Sequence, residues 1–308
     1  MVAEPTSDRI LLTGATGQVG GELLHSLASL GEVVAPTREQ VDLADVAGDF
    51  RTLRETLRAV RPRWIVNPAA YTAVDKAESE PELAYAVNRD AVRVIGEEAQ
   101  KIGAVVIHFS TDYVFDGQGD RAYVEADATG PMSVYGASKL AGEVALAETG
   151  AAHLIFRTSW VYGARGKNFL LTILKLARER ELLRVVGDQH GAPTWSRDLA
   201  QMTAAVMRRC EAETEKLGET VERVGGVYHA AGAGKTTWYG FAAEALRLER
   251  EREPRVKLAK IEAITTAEYP TPARRPTNSR LNCERLAERF GWKMMDWQEA
   301  LQRVLSEL

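Results

Sequence analysis

Tyr135 and Lys139 are the residues whose types and spacing best fit catalysis. They stand four positions apart in the segment 134–148, which has the periodicity of a helix, so both side chains are expected on one helix face. A free phenol has a pKa of about 10, and a nearby ammonium favours its charged form. We therefore predict that Lys139 tunes Tyr135 to act as a general acid, which donates a proton to a substrate oxygen.

Thr111 adds a hydroxyl to this pair. It follows an apolar strand predicted at 104–109, and parallel strands of open α/β sheets bind ligands at their carboxyl ends. The Thr111 hydroxyl is expected to hydrogen-bond a substrate carbonyl. His108 lies inside the same apolar strand and is interpreted as a core histidine rather than a catalyst.

A glycine-rich turn with the spacing GxxGxxG lies near the start of the chain. Gly14 and Gly17 follow a predicted strand at 9–12, and Gly20 opens a predicted helix at 20–30. Such a turn lets backbone amides approach a pyrophosphate at a helix amino terminus, which favours negative charge. The turn predicts a dinucleotide cofactor.

Arg38 indicates which dinucleotide binds. Sites that prefer NAD place a carboxylate after the second strand, whereas the segment 34–38 has no acid and ends in this arginine. A guanidinium pairs well with the additional phosphate of NADP. The sequence favours NADPH and leaves NADH open.

The elements that carry these residues alternate between short apolar runs and segments of helical period. This alternation is typical of an α/β fold, a Rossmann-type doubly wound parallel sheet with helices on both faces. Strands are predicted at 9–12, 32–35, 64–66, 104–109, 153–157, 183–186 and 226–229, and helices at 20–30, 50–60, 81–101, 134–148, 168–180 and 197–210. After 158 the pattern loosens. We expect an NADP-binding domain at 1–158, rejoined by segments near 195–231, and a smaller, interleaved substrate domain mainly at 159–308.

Composition excludes several classes of protein. The 308 residues are 45% hydrophobic and carry a formal net charge of -4 with both signs scattered, so neither nucleic acid nor an anionic membrane is an expected partner. Cys210 and Cys283 have neither the spacing of a zinc site nor a disulfide framework. The apolar runs are shorter than a membrane span, and residues 1–9 lack the order of a signal peptide, so we expect a cytoplasmic protein.

The sequence resembles the extended short-chain dehydrogenase/reductases that act on nucleotide sugars, and within them the family of dTDP-4-dehydrorhamnose reductases. The similarity runs nearly end to end. The segments that carry it are 11–20, 74–81, 110–117, 134–143, 156–162, 188–194 and 269–276. The family's catalytic threonine, tyrosine and lysine match Thr111, Tyr135 and Lys139.

The resemblance implies a reaction and a set of binding residues. The reaction is NADPH-dependent reduction of the C4 keto group of dTDP-4-dehydro-L-rhamnose to dTDP-L-rhamnose, with Lys139 also holding the nicotinamide ribose. Together with the glycine turn and Arg38, the expected cofactor contacts are Gly14, Gly17, Gln18, Val19, Gly20, Arg38, Asp42, Leu43, Ala69, Ala70, Tyr71, Tyr135 and Lys139. The expected substrate contacts are Asp112, Tyr113, Val114, Phe115, Trp160, Gln189, Ala192, Pro193, Thr194 and, at the diphosphate, Arg275.

Tyr113 restricts the chemistry independently of the family name. Related sugar 4,6-dehydratases eliminate water and use an Asp-Glu pair after the threonine to protonate the leaving hydroxyl. Here Asp112 is followed by Tyr113 instead of a glutamate. The sequence therefore favours simple reduction over elimination.

Arg197 departs from the family pattern. Some family members dimerise through a magnesium ion held by interface glutamates, and Arg197 stands where one of these glutamates would align. An arginine repels a bound cation, so we expect no metal and a monomer or weak homodimer.

Two other functions stay open from the sequence. The chain is also compatible with an epimerase or a reductase of another nucleotide sugar. It is compatible as well with a non-catalytic regulatory subunit that resembles the β subunit of methionine adenosyltransferase. Intact Thr111, Tyr135 and Lys139 favour catalysis.

Overall fold

A parallel sheet flanked by helices forms the centre of the protein. The computed structural model describes residues 8–214 and 216–308. The strands are β1 Arg9–Leu12, β2 Glu32–Val34, β3 Trp64–Asn67, β4 Val105–Thr111, β5 His153–Thr158, β6 Val161–Tyr162, β7 Leu182–Val186, β8 His190–Gly191, β9 Thr194–Trp195, β10 Gly226–His229, β11 Thr236–Thr237 and β12 Lys260–Ile264. Within the described residues, the large sheet has the strand order β10-β5-β4-β3-β1-β2 with parallel neighbours.

The helices cover both faces of this sheet and build a second layer beyond it. They are α1 Gln18–Leu27, α2 Arg51–Val60, α3 Val74–Ala77, α4 Pro81–Tyr85, α5 Ala91–Ile102, α6 Val134–Glu148, α7 Phe169–Glu179, α8 Ser196–Glu211, α9 Leu217–Val224, α10 Trp238–Arg252, α11 Glu284–Phe290 and α12 Trp297–Ser306. A π-helical turn, Ala86–Asp90, joins α4 to α5. This turn interrupts the single helix expected at 81–101.

Alternation along the strands explains the two-sided core. Ile10 and Leu12 on β1 pack in one cluster with α1 and α8, whereas Leu11 packs in another with α2 and α5. All seven residues of β4 are buried, as expected for a strand covered on both faces. The predicted α/β fold is confirmed.

The second half of the chain contributes both to the large sheet with its helices and to a separate helical cluster. α8 packs against α1, and β10 pairs with β5 in the large sheet. α7, α10 and α12 form a separate apolar cluster with β7. The sequence reading missed α9 and β12, which are short and have many polar residues.

No helix in the described ranges 8–214 and 216–308 is long and apolar enough to cross a membrane. The expectation that the amino terminus carries no signal peptide concerns mostly residues 1–7, which lie outside the described part of the chain.

Candidate active site

The glycine turn is closely packed between β1 and α1. Gly14 has a φ of 59°, a left-handed conformation that favours glycine, and a Cβ at this position would lie 2.9 Å from the Ala69 Cα. A Cβ on Gly20 would lie 2.0 Å from the Gly14 carbonyl oxygen. α1 begins at Gln18 with no side-chain cap, so backbone amides of its first turn are free for an anion. This geometry fits a dinucleotide pyrophosphate.

A cleft of about 550 Å³ opens above the glycine turn. Every residue expected to contact the cofactor lines it: Gly14, Gly17, Gln18, Val19, Gly20, Arg38, Asp42, Leu43, Ala69, Ala70, Tyr71, Tyr135 and Lys139. They converge because β1, β3 and β4 are neighbours in the sheet and end at the same edge. The cleft thus joins the nucleotide turn to the Tyr135 region.

Arg38 lies at the open end of this cleft. Its side chain is 80% exposed, and its Nε lies 3.7 Å from Asp42 Oδ1. An ion pair this exposed holds the guanidinium weakly, so Arg38 is available to a ligand phosphate.

Tyr135 lies in the first turn of α6, opposite Thr111. Ser133 caps this helix by accepting a hydrogen bond from the Gly136 amide at 3.1 Å. Burial raises the pKa of Tyr135 above its usual value, and the neighbouring Thr111 hydroxyl opposes this shift. The phenol is therefore protonated at neutral pH, the state that a proton donor needs.

Lys139 makes its hydrogen bonds to β4 in this structure. Its Nζ donates to the Phe109 carbonyl oxygen at 2.6 Å and lies 3.1 Å from Nε2 of His108. Burial lowers the pKa of Lys139 to about 8, while Glu143 opposes that shift. Besides burial, Thr111, Asp112 and Tyr113 shift the pKa of Tyr135, and tuning of the phenol by Lys139 stays a prediction.

Two buried partners near Lys139 were missed in the sequence. His108 is fully buried and contacts the Lys139 ammonium, although an apolar strand suggested only a core role. Glu143 and Arg157 form an ion pair at 2.6 Å with each side chain 5% exposed. Ser110 also donates to Glu143. The sequence signal for Glu143 was its spacing of one helical turn from Lys139.

Tyr113 and Asp112 adjoin the Thr111–Tyr135 contact. The rings of Tyr113 and Tyr135 meet edge to face with centroids 5.5 Å apart. Asp112 accepts a hydrogen bond from Thr111 at 3.0 Å, and burial raises the pKa of Asp112 to about 6. An aromatic ring thus lies where an eliminating enzyme would need a second carboxyl.

Arg275 is paired within the protein, whereas we expected it at a diphosphate. Its Nη2 donates to Asp75 Oδ2 at 2.7 Å, and the Ala273 amide donates to the other carboxylate oxygen. Its Nη1 is buried and has no hydrogen-bond partner. The carboxylate of Asp75 therefore holds the segment around Arg275 next to α3.

Several other expected substrate residues are packed inside the protein. Val114 and Phe115 are 0% and 1% exposed, and Phe115 stacks on Tyr123 with ring centroids 4.2 Å apart. Further along the chain, Gln189, Ala192, Pro193 and Thr194 are also buried. The Thr194 hydroxyl accepts from the Gly232 amide at 3.0 Å. These side chains have little exposed surface in this structure. Their contact with the substrate stays a prediction.

Trp160 has an unusual backbone and an aromatic partner. Its φ is 47°, a conformation that costs a non-glycine residue roughly 1–3 kcal/mol. Its ring stacks on Trp238 with centroids 3.7 Å apart, and a Cβ on Gly191 would lie 2.6 Å from it. Trp238 lies outside the motifs that predicted the site. Strain of this kind is concentrated at binding sites, which favours Trp160 as a ligand contact.

Comparison with known proteins identifies the family of this site. The family described as "RmlD substrate binding domain" matches residues 8–308. A dTDP-4-dehydrorhamnose reductase of Escherichia coli (strain K12) is 49% identical over 302 residues, which are 97% of each protein. This chain belongs to the dTDP-4-dehydrorhamnose reductase family. The resemblance drawn from the sequence motifs is confirmed.

Solved structures of this reductase family share the fold. The structure of dTDP-4-dehydrorhamnose reductase from Bacillus anthracis str. Ames in complex with NADP is 32% identical, with a TM-score of 0.86, and covers 98% of this chain and 100% of that one. UDP-glucose 4-epimerase from Thermotoga maritima, solved with UDP-glucose, is 18% identical with a TM-score of 0.75 over 97% of each chain. The second similarity concerns the fold alone.

Arg197, the position where we expected no metal ligand, pairs with two carboxylates. Its Nε donates to Glu22 at 2.9 Å, and its Nη1 donates to Glu307. A guanidinium already neutralises both carboxylates, so these residues do not fit a divalent cation. Within residues 8–214 and 216–308, no cluster of three or more His, Cys, Asp or Glu could hold a metal ion.

Proposed function

We propose that this protein reduces the C4 keto group of dTDP-4-dehydro-L-rhamnose with NADPH and releases dTDP-L-rhamnose. The contact between Thr111 and Tyr135, beside a cleft that begins at the glycine turn, carries this proposal. Reduction needs a proton donor near a hydride donor, and this cleft supplies both positions. The 49% identity to the Escherichia coli reductase supports the choice of substrate.

The residues of the chain have separate roles in the proposed reaction. When bound, NADPH supplies the hydride that adds to C4. Tyr135 donates its proton to the keto oxygen as negative charge develops there, and Thr111 orients that oxygen. Lys139, which lines the cleft, holds the cofactor ribose. Among the substrate contacts that the family resemblance implies, Asp112 and Tyr113 adjoin Thr111 and Trp160 has a strained backbone, so these three are the first candidates for contact with the sugar.

A direct spectrophotometric assay tests both the reaction and the cofactor preference. Purified protein, NADPH and dTDP-4-dehydro-L-rhamnose are mixed, and oxidation is followed at the nicotinamide absorbance. We expect turnover, with a higher kcat/KM for NADPH than for NADH because Arg38 pairs with the extra phosphate. The product is identified by mass spectrometry. Absence of NADPH oxidation with this sugar, in a protein that binds NADPH, would refute the proposed substrate.

The proposed reaction has an expected pH dependence. Because burial lowers the pKa of Lys139 to about 8, its ammonium is present below that pH and is lost above it. The raised pKa of Tyr135 keeps the phenol protonated over this range. We expect kcat/KM for NADPH to fall by about tenfold per unit above about pH 8, since kcat/KM reports groups of the free enzyme. A profile that stays flat to pH 9.5 would contradict the role of Lys139.

Domain organisation and location are also part of the proposal. Residues 1–158, with segments near 195–231, form the NADP-binding unit, and 159–308 form most of the substrate unit. The pairing of β10 with β5 and the packing of α8 on α1 support this division. We propose a cytoplasmic location, which the free thiols of Cys210 and Cys283 support.

The contacts of Arg197 support a metal-independent monomer or weak homodimer. Size-exclusion chromatography with light scattering should give one molar mass with and without magnesium. Arg197→Glu would gather three carboxylates in place of one guanidinium and two carboxylates, so magnesium should raise the melting temperature of this variant. Arg197→Ala, which adds no carboxylate, is the matched control. A magnesium-dependent dimer of the unmodified protein contradicts the proposal.

A further inference from the structure

A row of buried polar side chains crosses the sheet beneath the cleft. Thr13 follows β1, Asn67 ends β3 and His108 lies in β4, three strands that are adjacent in the sheet. Thr13 Oγ1 lies 2.5 Å from the Asn67 side-chain amide, and that amide lies 3.1 Å from His108 Nδ1. Each of the three residues is at most 3% exposed. The row places an imidazole at the end that faces α6.

His108 completes the environment of the Lys139 ammonium. Nζ lies 3.1 Å from His108 Nε2 and 2.6 Å from the Phe109 carbonyl oxygen, and Lys139 is 1% exposed. An ammonium has three donors, and buried donors need acceptors. Two acceptors lie on β4, which leaves the third proton for the cleft that Lys139 lines. Without His108 the ammonium would keep only one of these two acceptors.

The hydrogen-bond partners of the His108 imidazole decide which of its two nitrogens carries a proton. Burial, together with the Lys139 charge, lowers the pKa of His108, so the ring is neutral and carries one proton. If Nε2 accepts from the ammonium, Nδ1 must carry that proton and needs an oxygen opposite it. The orientation of an amide is an assignment, and the opposite orientation of Asn67 presents Oδ1 to His108. The Asn67 NH₂ group then donates to the Thr13 hydroxyl, in place of accepting from it.

We infer that His108 is a positioning residue for the reduction: its neutral imidazole fixes Lys139 so that one ammonium proton points into the cofactor cleft. This inference rests on the proposed function. Charged and titratable groups on neighbouring elements also face this region. Glu143 on α6 pairs with Arg157 on β5, and His153 on β5 acts on His108 at longer range. These groups stay unchanged when only His108 is replaced.

Three substitutions separate positioning from packing. His108→Gln keeps an acceptor at the reach of Nε2, His108→Asn keeps a polar group only at the reach of Nδ1, and His108→Met fills the space with apolar atoms. We expect kcat/KM to fall roughly 10–100-fold in the Asn and Met variants, the loss typical when the partner of a functional group is removed. The Gln variant should retain most of the activity. Thermal melting of each variant reports its folding.

The pH dependence of kcat/KM distinguishes positioning from packing, because a change in packing alone does not shift it. An acceptor stabilises the ammonium, so its removal lowers the pKa of Lys139. The alkaline limb of kcat/KM should therefore move to lower pH in the Asn and Met variants and stay in place in the Gln variant. Equal loss of activity in the Gln and Met variants overturns the inference, as does an alkaline limb that is the same in all variants.

A measurement without substrate separates this inference from the proposed function. The pKa of Lys139 is measured by NMR, from the pH dependence of its side-chain carbon resonance, in the unmodified protein and in the three variants. The resonance is assigned as the one that is missing in Lys139→Arg. A lower pKa in the Asn and Met variants than in the Gln variant supports the inference even if dTDP-4-dehydro-L-rhamnose is not turned over. An unchanged titration in all variants overturns it, whatever the substrate is.

Discussion

Tyr135→Phe should lose roughly 10²–10⁴-fold in kcat, the range for removal of a general acid. The variant removes the hydroxyl that contacts Thr111 and retains the ring that meets Tyr113 edge to face. The keto oxygen would then have no acid beside it, while the shape of the cleft stays the same. We expect the dissociation constant of NADPH to change little, so the loss should appear in kcat more than in KM.

Stopped-flow measurement of single-turnover NADPH oxidation checks this expectation directly, because it isolates chemistry from product release. Tyr228→Phe is the matched control, since it removes a buried hydroxyl that bonds to the Val224 carbonyl oxygen outside the cleft. That control should react at the unmodified rate. Retention of more than a tenth of the rate in Tyr135→Phe would assign the proton donor to another group, with Asp112, the carboxyl that acts on the pKa of Tyr135, as the first candidate.

The cofactor half of the site was predictable from local sequence. Gly14 and Gly20 have conformations and contacts that only glycine satisfies, and these contacts are made within one turn and its neighbouring strand. Parallel strands bring their carboxyl ends to one edge, so short motifs after separate strands converge without any knowledge of side-chain packing. The segments containing Asp42 and Ala69 therefore reach the predicted cleft.

The substrate half depended on contacts that sequence spacing does not determine. Arg275 bonds to Asp75 across 200 residues of chain, and Trp160 stacks on Trp238. Val114 and Phe115 follow Thr111, and the short 3₁₀ turn after β4 directs them into an apolar cluster. Whether side chains near Thr111 face the cleft depends on how this loop turns, which sequence spacing does not determine.

His108 illustrates the same limit within a regular strand. Its apolar neighbours correctly predicted burial, and the alternation of the strand gave its face. Its partners required the sheet order, because Asn67 is its register neighbour on β3 and Lys139 comes from α6. A polar residue in a fully buried strand was the available signal, since such a residue needs partners from other elements.

Glu143→Ala should produce the largest loss of stability among the variants considered, about 3–5 kcal/mol of unfolding free energy. It would leave Arg157 charged in a site where each side chain of the pair is 5% exposed, and Arg157 Nη1 already has no partner. Ser110 would lose its acceptor as well. Urea unfolding followed by circular dichroism measures the change. Glu299→Ala breaks an exposed pair with Arg303 and should have little effect.

The double variant Glu143→Leu/Arg157→Met tests whether the buried ion pair stabilises the fold or acts on Lys139. If the large loss in Glu143→Ala comes from an uncompensated charge, replacing both partners by apolar side chains should recover most of the stability. The pair also faces Lys139, since Glu143 raises the pKa of that ammonium against the effect of burial. The stable double variant should therefore lose activity at a lower pH than the unmodified protein. A double variant that is stable and keeps the original pH profile would limit the pair to a structural role. Recovered stability with a shifted pH profile would instead show that the buried pair acts on the pKa of Lys139.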